Sequence, residues 1–176
     1  FVFIILYIIG SGVVEKSSGM EILIQICFTL SMFLCVVLHE YGHALTARRF
    51  GVLTEDIILL PIGGVARLQN FPDKPRHELI IALMGPAVNL FIAVFLFIIL
   101  FASHGEQMLD LFQLEHFLSM GWSAFIPLLL ISNILLMVFN LIPAFPMDGG
   151  RVLRALLSMK TNRLTATKWA SKIGQV

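Results

Sequence analysis

Four apolar runs separated by polar tracts organise the chain, at residues 1–14, 20–47, 79–102 and 123–142. A helix needs about 20 apolar residues to cross the hydrocarbon of a bilayer, so the last three runs predict spans. The first is shorter. It has no basic stretch before it and no cleavage site, so it reads as a clipped span and not a signal peptide. Ser17-Ser18-Gly19 predicts a tight turn between the first two runs. Residues 57–68 predict a β-hairpin, with strand-rich runs on either side of a Gly63-Gly64 turn and Pro61 suited to an edge strand. An incipient helix at 164–176 is expected to begin a fifth span, and both chain ends read as cuts through a larger protein. The predicted fold class is an all-α polytopic membrane bundle of about four spans plus the start of a fifth, with a small membrane-associated β-hairpin. The whole of 1–176 is expected to form one core.

Composition agrees with a membrane protein. Of the 176 residues 58% are hydrophobic and 13% charged, with a mean hydropathy of +0.91. Soluble domains carry about 25% charged residues. The net charge of +1 carries no information about partners, but its distribution does: 11 of the 12 Lys and Arg lie in 48–78 or 144–176. An even number of spans separates these segments, so they share one side. The positive-inside rule makes that side cytoplasmic. The chain is therefore expected to be a multi-pass membrane protein, with the bilayer as its surroundings and no nucleic-acid partner. Cys27 and Cys35 fall on one predicted helix, about 12 Å apart by helical rise. That exceeds the roughly 7 Å a disulfide tolerates, so both read as packing residues.

The chemistry concentrates in His39-Glu40-Tyr41-Gly42-His43, an H-E-x-x-H motif inside the second run. Histidines one helical turn apart face the same way and can grip one zinc ion. Glu40 beside them can act as general base on a water. Ionisable groups at membrane depth cost roughly 2.5–3.5 kcal/mol each on insertion scales, and a metal site gives that cost a return. Catalytic zinc wants a third protein ligand. His104 and His116 lie on the opposite side. His77 and Glu78 are on the correct side, where a polar interfacial turn explains them equally well. Asp148 follows the fourth run at matching depth, either as the N-cap of the next helix or as the third ligand, and the two histidines favour the ligand. Gly149 and Gly150 would let the backbone come close to an ion. Asn89, Asn133 and Asn140 read, on chemistry alone, as interhelical hydrogen-bonding groups.

His39-Glu40-x-x-His43, the Gly63-Gly64 hairpin, Gly85-Pro86-x-x-Asn89 and Asn140-x-x-Pro143-x-x-Pro146-x-Asp148-Gly149-Gly150 occur in this order. Together they resemble the site-2 protease family of intramembrane zinc metalloproteases, over nearly the whole chain. The resemblance implies a six-span core and one zinc ion per chain, with Asp148 as the third ligand. It also implies that Asn89 lies near the site and that the hairpin contacts substrate; Asn89, Asn140, Gly63 and Gly64 are carried over as oxyanion- or substrate-positioning residues. The 31 residues at 48–78 are too few for the PDZ insertion of some relatives. The Pro61-x-Gly63-Gly64-Val65-Ala66-Arg67 run is similar to bacterial members that carry CBS domains, so a regulatory protein or C-terminal regulatory domain outside this chain is an open partner. The expected function is hydrolysis of transmembrane protein substrates near the cytoplasmic face, with Glu40 catalytic. One rival is an ion or solute transporter, which would show inverted repeats that the sequence lacks. Another is an inactive homologue that binds membrane segments, which would have no need of Glu40. A protease of soluble substrates fits least, because the motif lies within the span.

Overall fold

A computed structural model describes residues 2–52, 54–60, 63–68, 74–112 and 121–174. In chain order the elements are α1 (Val2–Val14), α2 (Gly19–Arg49), β1 (Thr54–Leu60), β2 (Gly63–Leu68), α3 (Pro75–His104), a 3-10 segment (Gly105–Phe112), α4 (Trp122–Asn140), α5 (Asp148–Ser158) and α6 (Arg163–Ile173). Among the described residues, α2, α3 and α4 are long and apolar enough to cross a membrane. α1 is apolar but has 13 residues, short of the roughly 20 a crossing needs. α2 has 31 residues, or roughly 46 Å of helix, so its basic last turn at Arg48 and Arg49 reaches past a 30 Å hydrocarbon layer. Large apolar side chains stay exposed along α3, among them Phe91, Phe95 and Ile98, as expected of surfaces whose solvent is lipid.

The chain divides into two compact units, both of which draw on α2, α3 and α4. The first comprises Phe1–Cys35 and Ile92–Asn133. Its core gathers Cys35, Ala93, Leu96, Leu100, Met108, Leu129 and Leu130, and Phe28 meets Phe125 edge to face. Asn133 is fully buried here and donates to the Leu129 carbonyl and to Cys35 Sγ. That is the helix-to-helix role expected of a polar group in a bundle. Both cysteines are free.

The second unit comprises Val36–Phe91 and Ile134–Val176. Here α2 and α3 approach closely at Gly42, where a Cβ would lie 2.8 Å from the Met84 carbonyl oxygen and from Val88. β1 and β2 pair antiparallel, with Leu59 opposite Gly64 and Leu60 opposite Gly63. The Gly-Gly pair is therefore not the turn that the sequence suggests. Both glycines belong to β2 and pair with Leu60 and Leu59; Pro61 and Ile62 lie outside the described residues. Strand β1 also starts at Thr54, three residues before the expected hairpin. After α4 the chain turns through 141–147 into α5, whose extended N-cap is Met147. Asp148 is the first residue of the helix and not its cap. Gly149 and Gly150 serve this turn: a Cβ on Gly149 would overlap the Leu141 and Ile142 carbonyls, and one on Gly150 would press on Ala144. The close approach they permit is to their own backbone, where an approach to an ion was expected.

Candidate metal centre

The site lies within the second unit and is built from α2, α3 and α5. α2 presents His39 and His43 one turn apart, and the turn after α4 delivers Asp148. Asp148 Oδ2 lies 3.1 Å from His39 Nε2 and 3.0 Å from His43 Nε2, and the two nitrogens are 3.2 Å apart. All three side chains are buried. Tetrahedral zinc with bonds of 2.0–2.1 Å separates its ligands by about 3.3 Å, close to each edge of this triangle. The three are the group of His, Cys, Asp and Glu that could hold a metal ion among the described residues.

The hydrogen bonding behind the triangle favours a cation at its centre. His43 Nδ1–H donates to the Ile81 carbonyl at 2.7 Å. A neutral imidazole with its proton there turns a lone pair inward at Nε2, toward the lone pairs of Asp148 Oδ2. Two acceptors 3.0 Å apart repel unless a cation or a proton lies between them. Asp148 Oδ1 points elsewhere, 3.7 Å from Arg151 Nη1. Room for an ion is kept by Gly85: a Cβ there would lie 2.7 Å from His39 Nε2 and closer still to His43 Nε2. The donor set, the buried triangle and the space opposite Gly85 all suit a metal ion.

One face of α3 organises most of this. Glu78, Ile81, Gly85 and Asn89 recur at helical spacing, and each meets the site or its supports. Asn89, fully buried, donates from Nδ2 to His39 Nδ1 at 3.0 Å. Ile81 holds His43, and Gly85 leaves the space. Glu78 is buried at 2% exposure and accepts from Arg154 Nε at 2.7 Å and from Arg154 Nη2. Arg163 Nη2 lies 3.7 Å from its other oxygen. Glu78 thereby ties α3 to α5, the helix that begins with Asp148, and to α6. Arg154 also sits over the Phe145 ring, in the turn just before Asp148.

Of the residues anticipated from sequence, His39, His43 and Asp148 come together, and Glu40 is buried beside His39 in the chain at 6% exposure. Asn89 joins them, but from behind His39. Asn140 donates to the Leu136 carbonyl of its own helix, and no hydrogen bond among the described residues links it to the triangle. Gly63 and Gly64 lie in β2. His77 stacks on Phe50 at 4.2 Å. From sequence, Glu78 is open between a third metal ligand and an interfacial turn residue, and Gly85 enters only as part of the Gly85-Pro86-x-x-Asn89 motif; here Glu78 is neither. The signal that finds both is their position on the same helical face as Asn89.

The family model described as peptidase family M50 matches residues 27–176. A zinc metalloprotease of Methanocaldococcus jannaschii is 39% identical over 175 residues, covering 99% of this chain and 46% of that protein. Stage IV sporulation protein FB of Bacillus subtilis is 27% identical over 130 residues, covering 73% and 40%. The solved structure of a site-2 protease from Methanocaldococcus jannaschii is similar with a TM-score of 0.68 and 37% identity, covering 98% of this chain and 71% of that one. The chain spans about half the length of the curated relatives it matches. With a model match over 150 residues that carries the H-E-x-x-H motif and Asp148, the chain belongs to peptidase family M50.

Proposed function

We propose that this chain is the catalytic core of an intramembrane zinc endopeptidase that cuts transmembrane protein substrates near the cytoplasmic face. The observation that carries the reading is the buried triangle of His39, His43 and Asp148 with Glu40 beside it. His39 Nε2, His43 Nε2 and Asp148 Oδ2 would hold one zinc ion. Zinc in such a site supplies Lewis acidity, which activates water as a nucleophile and offsets charge developing on the scissile carbonyl oxygen. Glu40 contributes no ligand atom to the triangle. It accepts the proton of the attacking water and passes it to the departing amine nitrogen. Water for the reaction must reach the buried site from the cytoplasmic side. Asn140, on the last turn of α4, is assigned a substrate-positioning role.

A helical substrate hides its peptide bonds and must unwind before it is cut. The β1–β2 hairpin offers main-chain groups for pairing with an extended segment by strand addition, and Gly63 and Gly64 let that segment approach closely. Proline at Val65 or Ala66 is expected to lower turnover well below that of leucine at the same position, with zinc content unchanged. Proline variants with full turnover would leave the hairpin as a connector.

The test measures zinc content and cleavage of a co-expressed single-span substrate by the full-length protein. One zinc per chain is expected, lost in His43→Ala. Glu40→Gln should keep the metal and the fold while cleavage falls by about 10²–10⁴-fold, the usual contribution of a positioned acid–base group. Near-normal cleavage by Glu40→Gln, or full zinc in His43→Ala, would sink the reading.

A further inference from the structure

We infer that the outer face of α6 docks on the acidic headgroups of a lipid leaflet, with Lys168 and Lys172 meeting the phosphates and Trp169 anchoring the helix at headgroup depth. One side of α6 is packed. Ala166 and Ala170 are fully buried there, and Arg163 Nη2 lies 3.7 Å from Glu78. The opposite side carries Leu164, Lys168 and Lys172 at one-turn spacing, with Trp169 and Ile173 one turn apart in the adjacent row. All five are exposed, Leu164 at 78%. Among the described residues no carboxylate lies within ion-pair distance of Lys168 or Lys172. The sequence around them supplies none: residues 149–176 hold six Lys and Arg and no Asp or Glu.

This mixture fits one environment. In water the face would leave Leu164, Trp169 and Ile173 without apolar cover. In hydrocarbon the two ammonium groups would be costly. The headgroup layer satisfies both, because indole and aliphatic side chains reach toward the acyl chains while lysine stems extend their charges to the phosphates. The position of α6 agrees. α4 has 19 residues, or roughly 28 Å of helix, about the thickness of the hydrocarbon layer. Its exit at Asn140 therefore brings the 141–147 turn to the headgroups. α6 ends against that turn: a Cβ on its C-cap, Gly174, would lie 2.8 Å from Ala144 Cα and 3.2 Å from Phe145 N. Charge then selects among lipids. Two lysines without a carboxylate favour anionic over zwitterionic headgroups by about 5-fold each near the surface.

The experiment uses the full-length protein in vesicles of phosphatidylcholine and phosphatidylglycerol. Trp122 and any tryptophan outside this chain are replaced by phenylalanine, so that Trp169 alone fluoresces. Quenching of Trp169 is compared when the bromine-labelled acyl chains belong to one lipid or to the other. Phosphatidylglycerol should be preferred beside Trp169 by at least about 5-fold. The preference should fall toward 1 in Lys168→Gln/Lys172→Gln, persist in Lys168→Arg/Lys172→Arg, and weaken in 1 M salt, where screening acts within about 3 Å. Both double variants should keep the helical circular dichroism of the parent, because neither lysine packs against the fold. Trp169 unquenched by either lipid would place α6 away from the membrane, leave its face to a protein partner, and overturn the inference. Equal quenching by the two lipids would reduce the face to ordinary apolar contact and overturn it as well. A preference that survives in the glutamine variant would overturn the assignment to Lys168 and Lys172.

Discussion

At the scale of single residues, Gly85 decides whether the donor triangle has room for an ion. Its missing side chain leaves the space that a Cβ would fill, 2.7 Å from His39 Nε2 and nearer still to His43 Nε2. Alanine is the better helix former by about 0.8–1.0 kcal/mol, so propensity alone would make Gly85→Ala harmless. The contact decides otherwise, because the methyl group meets rigid imidazoles and not the end of a flexible chain. Gly85→Ala is expected to retain helical circular dichroism and to lose zinc affinity by at least about 100-fold, more than the 10–100-fold typical of outer-shell changes. Wild-type affinity in a chelator competition would mean that the metal does not sit between these nitrogens. His39, Glu40 and His43 were legible in the sequence because their relation is local, set by one turn of one helix. Asp148 was legible because it recurs in a motif of prolines and glycines with few other uses. Gly85 was quoted only as part of a motif: a glycine's role depends on what another helix places against it, and spacing within one segment does not record that.

At the scale of elements, α3 is the scaffold of the site. Glu78, Ile81, Gly85 and Asn89 lie on one of its faces, and the hydrogen bonds of His39 and His43, in the last three turns of α2, close against it. The pair between Glu78 and Arg154 fixes α5, which begins with Asp148, so the third donor is held by a contact about two turns along its own helix. Truncating one partner of a buried ion pair costs about 3–5 kcal/mol, whereas replacing both by apolar groups is often near neutral. Glu78→Leu should therefore lower the thermal midpoint in detergent and weaken zinc, by removing the carboxylate that Arg154 and Arg163 share. Glu78→Leu with Arg154→Met should recover most of the midpoint. A Glu78→Leu protein with unchanged midpoint and zinc affinity would show that α5 is held by other contacts. The long helices were legible because apolar runs of this length have one stable form in lipid. The hairpin was legible in outline only. Gly63 and Gly64 look like turn residues by type, yet their register places them in β2, and pairing between two strands sets that register.

At the scale of the whole molecule, orientation in the bilayer would determine, under the proposed function, which end of a substrate is cut. In the proposed topology α3 and α4 both cross the bilayer, so the basic segments 48–78 and 144–176 on either side of them face the same side. They hold 11 of the 12 Lys and Arg, and positive charge flanking spans is retained on the cytoplasmic side. The intervening 103–122 stretch, with Glu106, Asp110 and Glu115 in its sequence, should face outward. His43 lies six residues before the end of α2 at Arg49, about 9 Å by helical rise, so the proposed orientation would put the donor triangle in the cytoplasmic half of that span. Single cysteines at Lys74 and Glu115 test this with a membrane-impermeant maleimide on intact cells. The background needs Cys27→Ala and Cys35→Ser, the serine because Cys35 Sγ accepts from Asn133. Glu115→Cys should label on intact cells, and Lys74→Cys only after permeabilisation. Labelling of both from outside would break the topology, and labelling of Lys74→Cys alone would invert it. In the inverted case the metal centre would face away from the cytoplasm, and substrates would be cut near their outer ends.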